Sequence, residues 1–171
     1  MAVEETGKIK DKSEFVVLLF LAVVLDFIFR QFPILNAIQP ILPVAVISGI
    51  LYGAKRGIAT GVLAYIVSSL LLFSADVFST TLFFVQMISA IVAGALGGVI
   101  GRKEKPSVSE FVSLVVIAAI VFEAANNFLQ GTSFSRLTGY YYLEGTALAS
   151  ALHIISAILL AVLLSSLLDK K

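Results

Sequence analysis

Residues 108–131 read VSEFVSLVVIAAIVFEAANNFLQG, and the change of character along this stretch decides the fold. From Val112 to Phe122 it is almost wholly apolar, with no alternation of period two. Then Glu123, Asn126 and Asn127, and Gln130 follow at i, i+3/i+4 and i+7, which is one face of a helix. Gly131 fits a C-terminal stop. An apolar helix of about 20 residues matches a hydrocarbon core of roughly 30 Å. Polar side chains two turns inside such a core are costly toward lipid, so this stripe faces the interior of a helix bundle or a wet cavity.

The rest of the chain agrees with a membrane setting. Over 171 residues, 59% are hydrophobic and only 13% charged, and mean hydropathy is +1.03. A soluble domain is closer to half apolar and a quarter charged. Formal net charge is +1, which removes any electrostatic case for nucleic acid. Zero Cys excludes disulfides, thiolate metal sites and cysteine nucleophiles. Six apolar stretches, about 14–32, 36–53, 57–74, 79–101, 108–129 and 147–168, predict an all-α polytopic membrane protein of six transmembrane helices. A β-barrel would show short alternating segments instead. Residues 14–168 then form one membrane domain, with 1–13 a cytoplasmic N-terminal tail and 169–171 a cytoplasmic C-terminus. Pro33, Pro40 and Pro43 make the second helix short or broken, with 33–40 either a loop dipping toward the bilayer or a turn at its interface.

Basic residues near span ends favour the cytoplasmic side. With six crossings, Lys8, Lys10, Lys12, Lys55, Arg56, Arg102, Lys103, Lys105, Lys170 and Lys171 share one face, and Arg30 and Arg136 take the other. Both termini are therefore expected inside, in a multi-pass protein of the cell membrane. The first stretch ends in Asp26-Phe-Ile-Phe-Arg30-Gln without a small-residue cleavage site, so it reads as an uncleaved helix rather than a signal peptide.

Small residues recur every four positions: Gly53, Gly57 and Gly61; Ala90, Gly94 and Gly98; Ala93, Gly97 and Gly101; Ala157, Ala161 and Ser165. Such stripes let helices approach closely within a bilayer, either inside the bundle or toward another membrane protein. Polar groups, by contrast, gather in the outer half: Asp26, Arg30, Asn36, Gln39, Asp76, Gln86, Glu123, Asn126, Asn127, Gln130, Arg136, Glu144 and His153. At 1.5 Å per residue His153 lies about 9 Å below Ala147, a depth that allows a contact with Glu123. Gln86 falls at a comparable depth. Asp26 and Arg30 are an i, i+4 ion pair in the favourable order. The loop Thr138–Gly145 carries Tyr140, Tyr141 and Tyr142 at the outer surface, as interface anchors or as a lid over a ligand.

No HExxH, GxSxG or P-loop occurs, and a lone His with scattered acids makes a poor metal site. No catalytic residue, metal or cofactor is expected. The candidate substrate-binding residues are Gln86, Glu123, Asn126, Asn127, Gln130, His153 and Tyr141. The small excess of acids over arginines on the outer side leans toward a neutral or cationic solute.

The stretch PVAVISGILYGAKRGIATG over 43–61, an apolar helix, a Gly-x-x-x-Gly turn and a Gly/Ala-rich third helix, resembles the substrate-binding S component of energy-coupling factor transporters. Gly94–Arg102 is similar to that family's small-residue exit from span four, and length and span number agree along nearly the whole chain. The resemblance implies a vitamin-like micronutrient bound at the outer side of spans four to six. It also implies uptake driven by a transmembrane coupling subunit and two cytoplasmic ATPases as partners. Span one departs from the family's Ala-x-x-x-Ala pattern, since Ala22 is its only alanine, and Ala2 stands where metal-ion relatives carry His. Two other readings stay open: a structural or assembly membrane protein whose polar cluster only fixes helix packing, and a small intramembrane enzyme using Glu123 and His153.

Overall fold

The computed structural model describes the backbone of residues 2–32, 38–71, 80–103, 106–138 and 141–170. It describes the side chains of residues 13–32, 38–71, 83–103, 106–125 and 150–168. Among these residues the structure is helical throughout: α1 (Ala2–Arg30), α2 (Ile41–Tyr52), α3 (Ala54–Leu71), α4 (Thr80–Ile100), α5 (Val108–Thr138) and α6 (Tyr141–Leu164), followed by a 3-10 helix over Ser165–Lys170. Three segments, Phe83–Ile100, Val108–Ala125 and Ser150–Leu168, are long and apolar enough to cross a membrane, with mean hydropathies of 2.1, 2.1 and 2.5. Large apolar side chains stand on the outside, among them Phe20 at 68%, Val99 at 60% and Leu163 at 72% exposure. A soluble protein rarely displays so many together; lipid solvates them well.

α2 explains its own shortness. Every residue from Ile41 to Ile50 is buried, so this helix, apolar all round, is wrapped by its neighbours and has no lipid-facing side. Pro40 is its N-cap and Pro43 lies in its first turn, where the missing N–H breaks no intrahelical bond. The prolines start α2; they do not break it.

The small-residue stripes pack inside the bundle and set the helix directions. A Cβ at Gly94 would lie 2.2 Å from the Ile58 nitrogen, one at Gly98 2.4 Å from Ala54, and one at Gly61 2.8 Å from the Ala90 Cβ. α3 and α4 are thus antiparallel at backbone contact. Gly97 meets the Val46 carbonyl and Gly101 that of Ile50, so α2 and α4 run parallel. Ala157 and Ala161 are likewise buried on α6.

These directions bring the Lys55–Arg56 turn beside the Arg102–Lys103 turn. At that basic end Tyr52 Oη donates to Glu14 Oε2 at 3.0 Å, and a groove of about 220 Å³ is lined by Ser13, Leu18, Leu51, Tyr52 and Leu167. Ser13 and Glu14 of α1 and Leu167 therefore lie at the same end of the bundle. α5 starts there in a capping box, with Ser107 N donating to Glu110 Oε2 at 3.0 Å and Glu110 N to Ser107 Oγ at 3.2 Å. Lys103 adds an ion pair to Glu110.

Between α2 and α3 the chain turns at Gly53, with φ 91° and ψ 161°. Nothing lies within 4 Å of a Cβ built there, so the requirement is conformational and not steric. This backbone region is open to glycine almost alone. Gly53→Ala is expected to lower stability by about 1–3 kcal/mol through strain, read as a loss in thermal midpoint with unchanged helix content.

Three boundaries differ from the sequence reading. Residues 2–12, expected as a tail, continue α1 without a break. α5 runs through Gly131 to Thr138, since an internal glycine costs a helix only about 1 kcal/mol and no proline follows it. Tyr141 opens α6 instead of lying in a loop. Residues 33–37 and 72–79, including Pro33, Asn36 and Asp76, lie outside the described residues.

Candidate functional site

The buried face of α5 is built from Phe111, Leu114, Val115, Ala118, Ala119 and Phe122 and then, one step on, Glu123. On α6 the small face Ala157 and Ala161 leads in the other direction to His153 and Ser150, at i and i+3. The two faces change from apolar to polar at the same level, where Glu123 meets His153. Glu123 meets both polar groups of α6 there. Its Oε1 pairs with His153 Nδ1, and its Oε2 accepts from Ser150 Oγ at 2.5 Å.

Glu123 is 6% exposed, so this carboxylate is held by partners, as a charge inside an apolar bundle must be. The His153 ring stands edge-on to Phe122, with centroids 6.2 Å apart and planes at 68°. The depth arithmetic of the sequence thus identifies a real contact; it misses Ser150, although the i, i+3 spacing to His153 is readable.

Gln86 lies about 21 Å from the end of α4 and Glu123 about 22 Å from the start of α5, at 1.5 Å per residue. The antiparallel hairpin puts them level. The Gln86 Oε1 atom is buried and has no hydrogen-bond partner among the described residues. Gln86 thus shares the height of Glu123 and His153, on the 86/90/94 stripe of α4 whose Ala90 and Gly94 pack on α3. The backbone of α5 and α6 carries Asn126, Asn127, Gln130 and Tyr141, whose side chains lie outside the described residues, as do those of Arg136 and Glu144.

The Asp26–Arg30 pair is present at the same end of the bundle, with Arg30 Nε 2.9 Å from Asp26 Oδ2. Asp26 is 1% exposed and continues the buried face Leu18–Ala22 of α1. On α3, Ser68 and Tyr65 lie near it and Ser69 is buried as well, hydroxyl residues absent from the candidates read in the sequence.

The far end of the bundle is accordingly polar inside, and the near end is basic outside. Among the described residues, no group of three or more His, Asp or Glu side chains is arranged to hold a metal ion. Comparison with known protein families, with curated proteins and with solved structures gives no match for this chain.

Proposed function

We propose that the chain is a six-span membrane protein, with both termini cytoplasmic, that holds a small polar solute in its outer half. It would serve as the substrate-binding subunit of an ATP-driven uptake transporter, with a coupling subunit and ATPases as partners. The observations that support this reading are the buried Glu123–His153–Ser150 cluster between α5 and α6 and, at a similar height on α4, Gln86 Oε1, which is unpaired among the described residues. An unpaired buried amide oxygen inside a membrane costs more than a paired one, and a bound donor-rich solute offsets that cost. The basic turns at the opposite end support the orientation through the preference of Lys and Arg for the cytoplasm.

A second reading has its own support. Both oxygens of Glu123 are already satisfied by Ser150 and His153, as expected of a clip that joins α5 to α6 without a ligand. Small-molecule mass spectrometry on protein purified from its host separates the two. The receptor reading expects a co-purifying solute that falls at least tenfold in Glu123→Gln and Gln86→Leu variants of normal folded yield. Identical small-molecule content in wild type and variants establishes the clip.

A further inference from the structure

The interface of α1 and α3 holds a second polar group of residues, separate from Glu123 and His153. Tyr65, Ser68 and Ser69 occupy i, i+3 and i+4 on α3, one face of that helix. All are 1% exposed or less. The Ser68 hydroxyl faces the Asp26 carboxylate, and Tyr65 lies within electrostatic reach of both Asp26 and Arg30. Yet Tyr65 Oη, Ser68 Oγ, Ser69 Oγ and Asp26 Oδ2 make no hydrogen bond of normal geometry among the described residues. Arg30 touches Asp26 Oδ2 at 2.9 Å as an ion pair without hydrogen-bond alignment. Two hydroxyls of α3, those of Tyr65 and Ser68, thus stand about the Asp26 carboxylate deep in an apolar bundle without a hydrogen bond of normal geometry to it.

We propose that Asp26, Tyr65 and Ser68 form a site for a monovalent cation of the sodium type, for which Arg30 is the competing resident counter-ion. The donors are a carboxylate and hydroxyl oxygens, which suit a hard cation; the cluster has none of the imidazole or thiolate donors that select transition metals. One carboxylate balances one positive charge. A cation bound beside Arg30 would leave a net charge in the bundle interior, so binding requires Arg30 to leave. Arg30 is placed to do so. It is the last residue of α1, its side chain is 18% exposed against 2% for Asp26, and a long guanidinium side chain reaches water from a helix end. The exchange needs no reagent beyond the ion: sodium enters the oxygen cage as the Arg30–Asp26 contact opens.

This site is independent of the solute reading. Its test is the thermal midpoint of the purified full chain in sodium chloride against choline chloride at equal ionic strength. Sodium well above its dissociation constant is expected to raise the midpoint on the order of 5 °C. Asp26→Asn abolishes the rise, whereas Arg30→Gln lowers the half-saturating sodium concentration at least threefold. These opposite responses distinguish a cation site from a structural ion pair, whose two variants lose stability alike and show no sodium dependence. Should Asp26→Asn fail to fold, Tyr65→Phe serves, with a half-saturating concentration raised at least threefold. Glu123→Gln keeps the full sodium response. Coincident curves in sodium and choline, a rise that persists in Asp26→Asn, or an unchanged response in Tyr65→Phe overturns the proposal.

Discussion

Gly94→Val is expected to leave no folded, monodisperse protein after extraction into mild detergent. Even the first added carbon, the Cβ, would stand 2.2 Å from Ile58 N, 2.3 Å from Gly57 C and 2.6 Å from Ile58 Cα. All three are backbone atoms, so no rotamer change relieves the overlap, and α3 must move away from α4. Separation there also opens α2, which packs on the same stretch of α4: a Cβ on Gly49 would stand 2.5 Å from the Gly94 carbonyl oxygen. Overpacking in cores with flexible neighbours costs about 1–3 kcal/mol, and a rigid backbone neighbour puts this site at or beyond the top of that range. Val99→Ala, on the same helix but 60% exposed, should change the thermal midpoint little. Size-exclusion profiles and helical circular dichroism of the two variants give the comparison.

The second large effect is at the α5–α6 clip. Glu123→Ala removes the acceptor of His153 and of Ser150 together. Breaking a buried, hydrogen-bonded charged pair from one side costs about 3–5 kcal/mol in soluble proteins. Hydrogen bonds between membrane helices average nearer 0.6 kcal/mol, with a maximum of about 1.7. The carboxylate is bonded twice and lies in an apolar core, so a loss of about 3 kcal/mol is expected. A double-mutant cycle with His153→Ala should give a coupling of about 1–2 kcal/mol, measured by reversible unfolding in detergent. Ser150→Ala, which leaves the imidazole contact in place, should cost less than about 1 kcal/mol.

What can be read without coordinates follows physical lines. Apolar runs of membrane length announce α4, α5 and α6, because the bilayer imposes that length on the sequence directly. Pro40 and Pro43 announce a short α2, but not its reason, which is enclosure by α1, α3 and α4; enclosure is a tertiary property that periodicity does not carry in a helix apolar on every face. Gly131 misleads because glycine weakens a helix without ending it. The Glu123–His153 contact is legible because charged side chains at equal depth in an apolar medium have few other partners. The nearness of Tyr65 and Ser68 to Asp26 is not, since uncharged hydroxyls occur throughout membrane helices and nothing in their spacing reveals which helix they face.

The central claim is that the polar interior belongs to the exoplasmic end of the bundle and the basic turns to the cytoplasmic end. The chain has no native cysteine, so single Cys substitutions report sidedness without background. Cells carrying Ser150→Cys, Phe32→Cys or Arg102→Cys would be treated with a small membrane-impermeant thiol reagent before and after permeabilisation. The account predicts labelling of the first two in intact cells and of Arg102→Cys only after permeabilisation. Labelling of Arg102→Cys in intact cells, with Ser150→Cys protected until the membrane is opened, would contradict it.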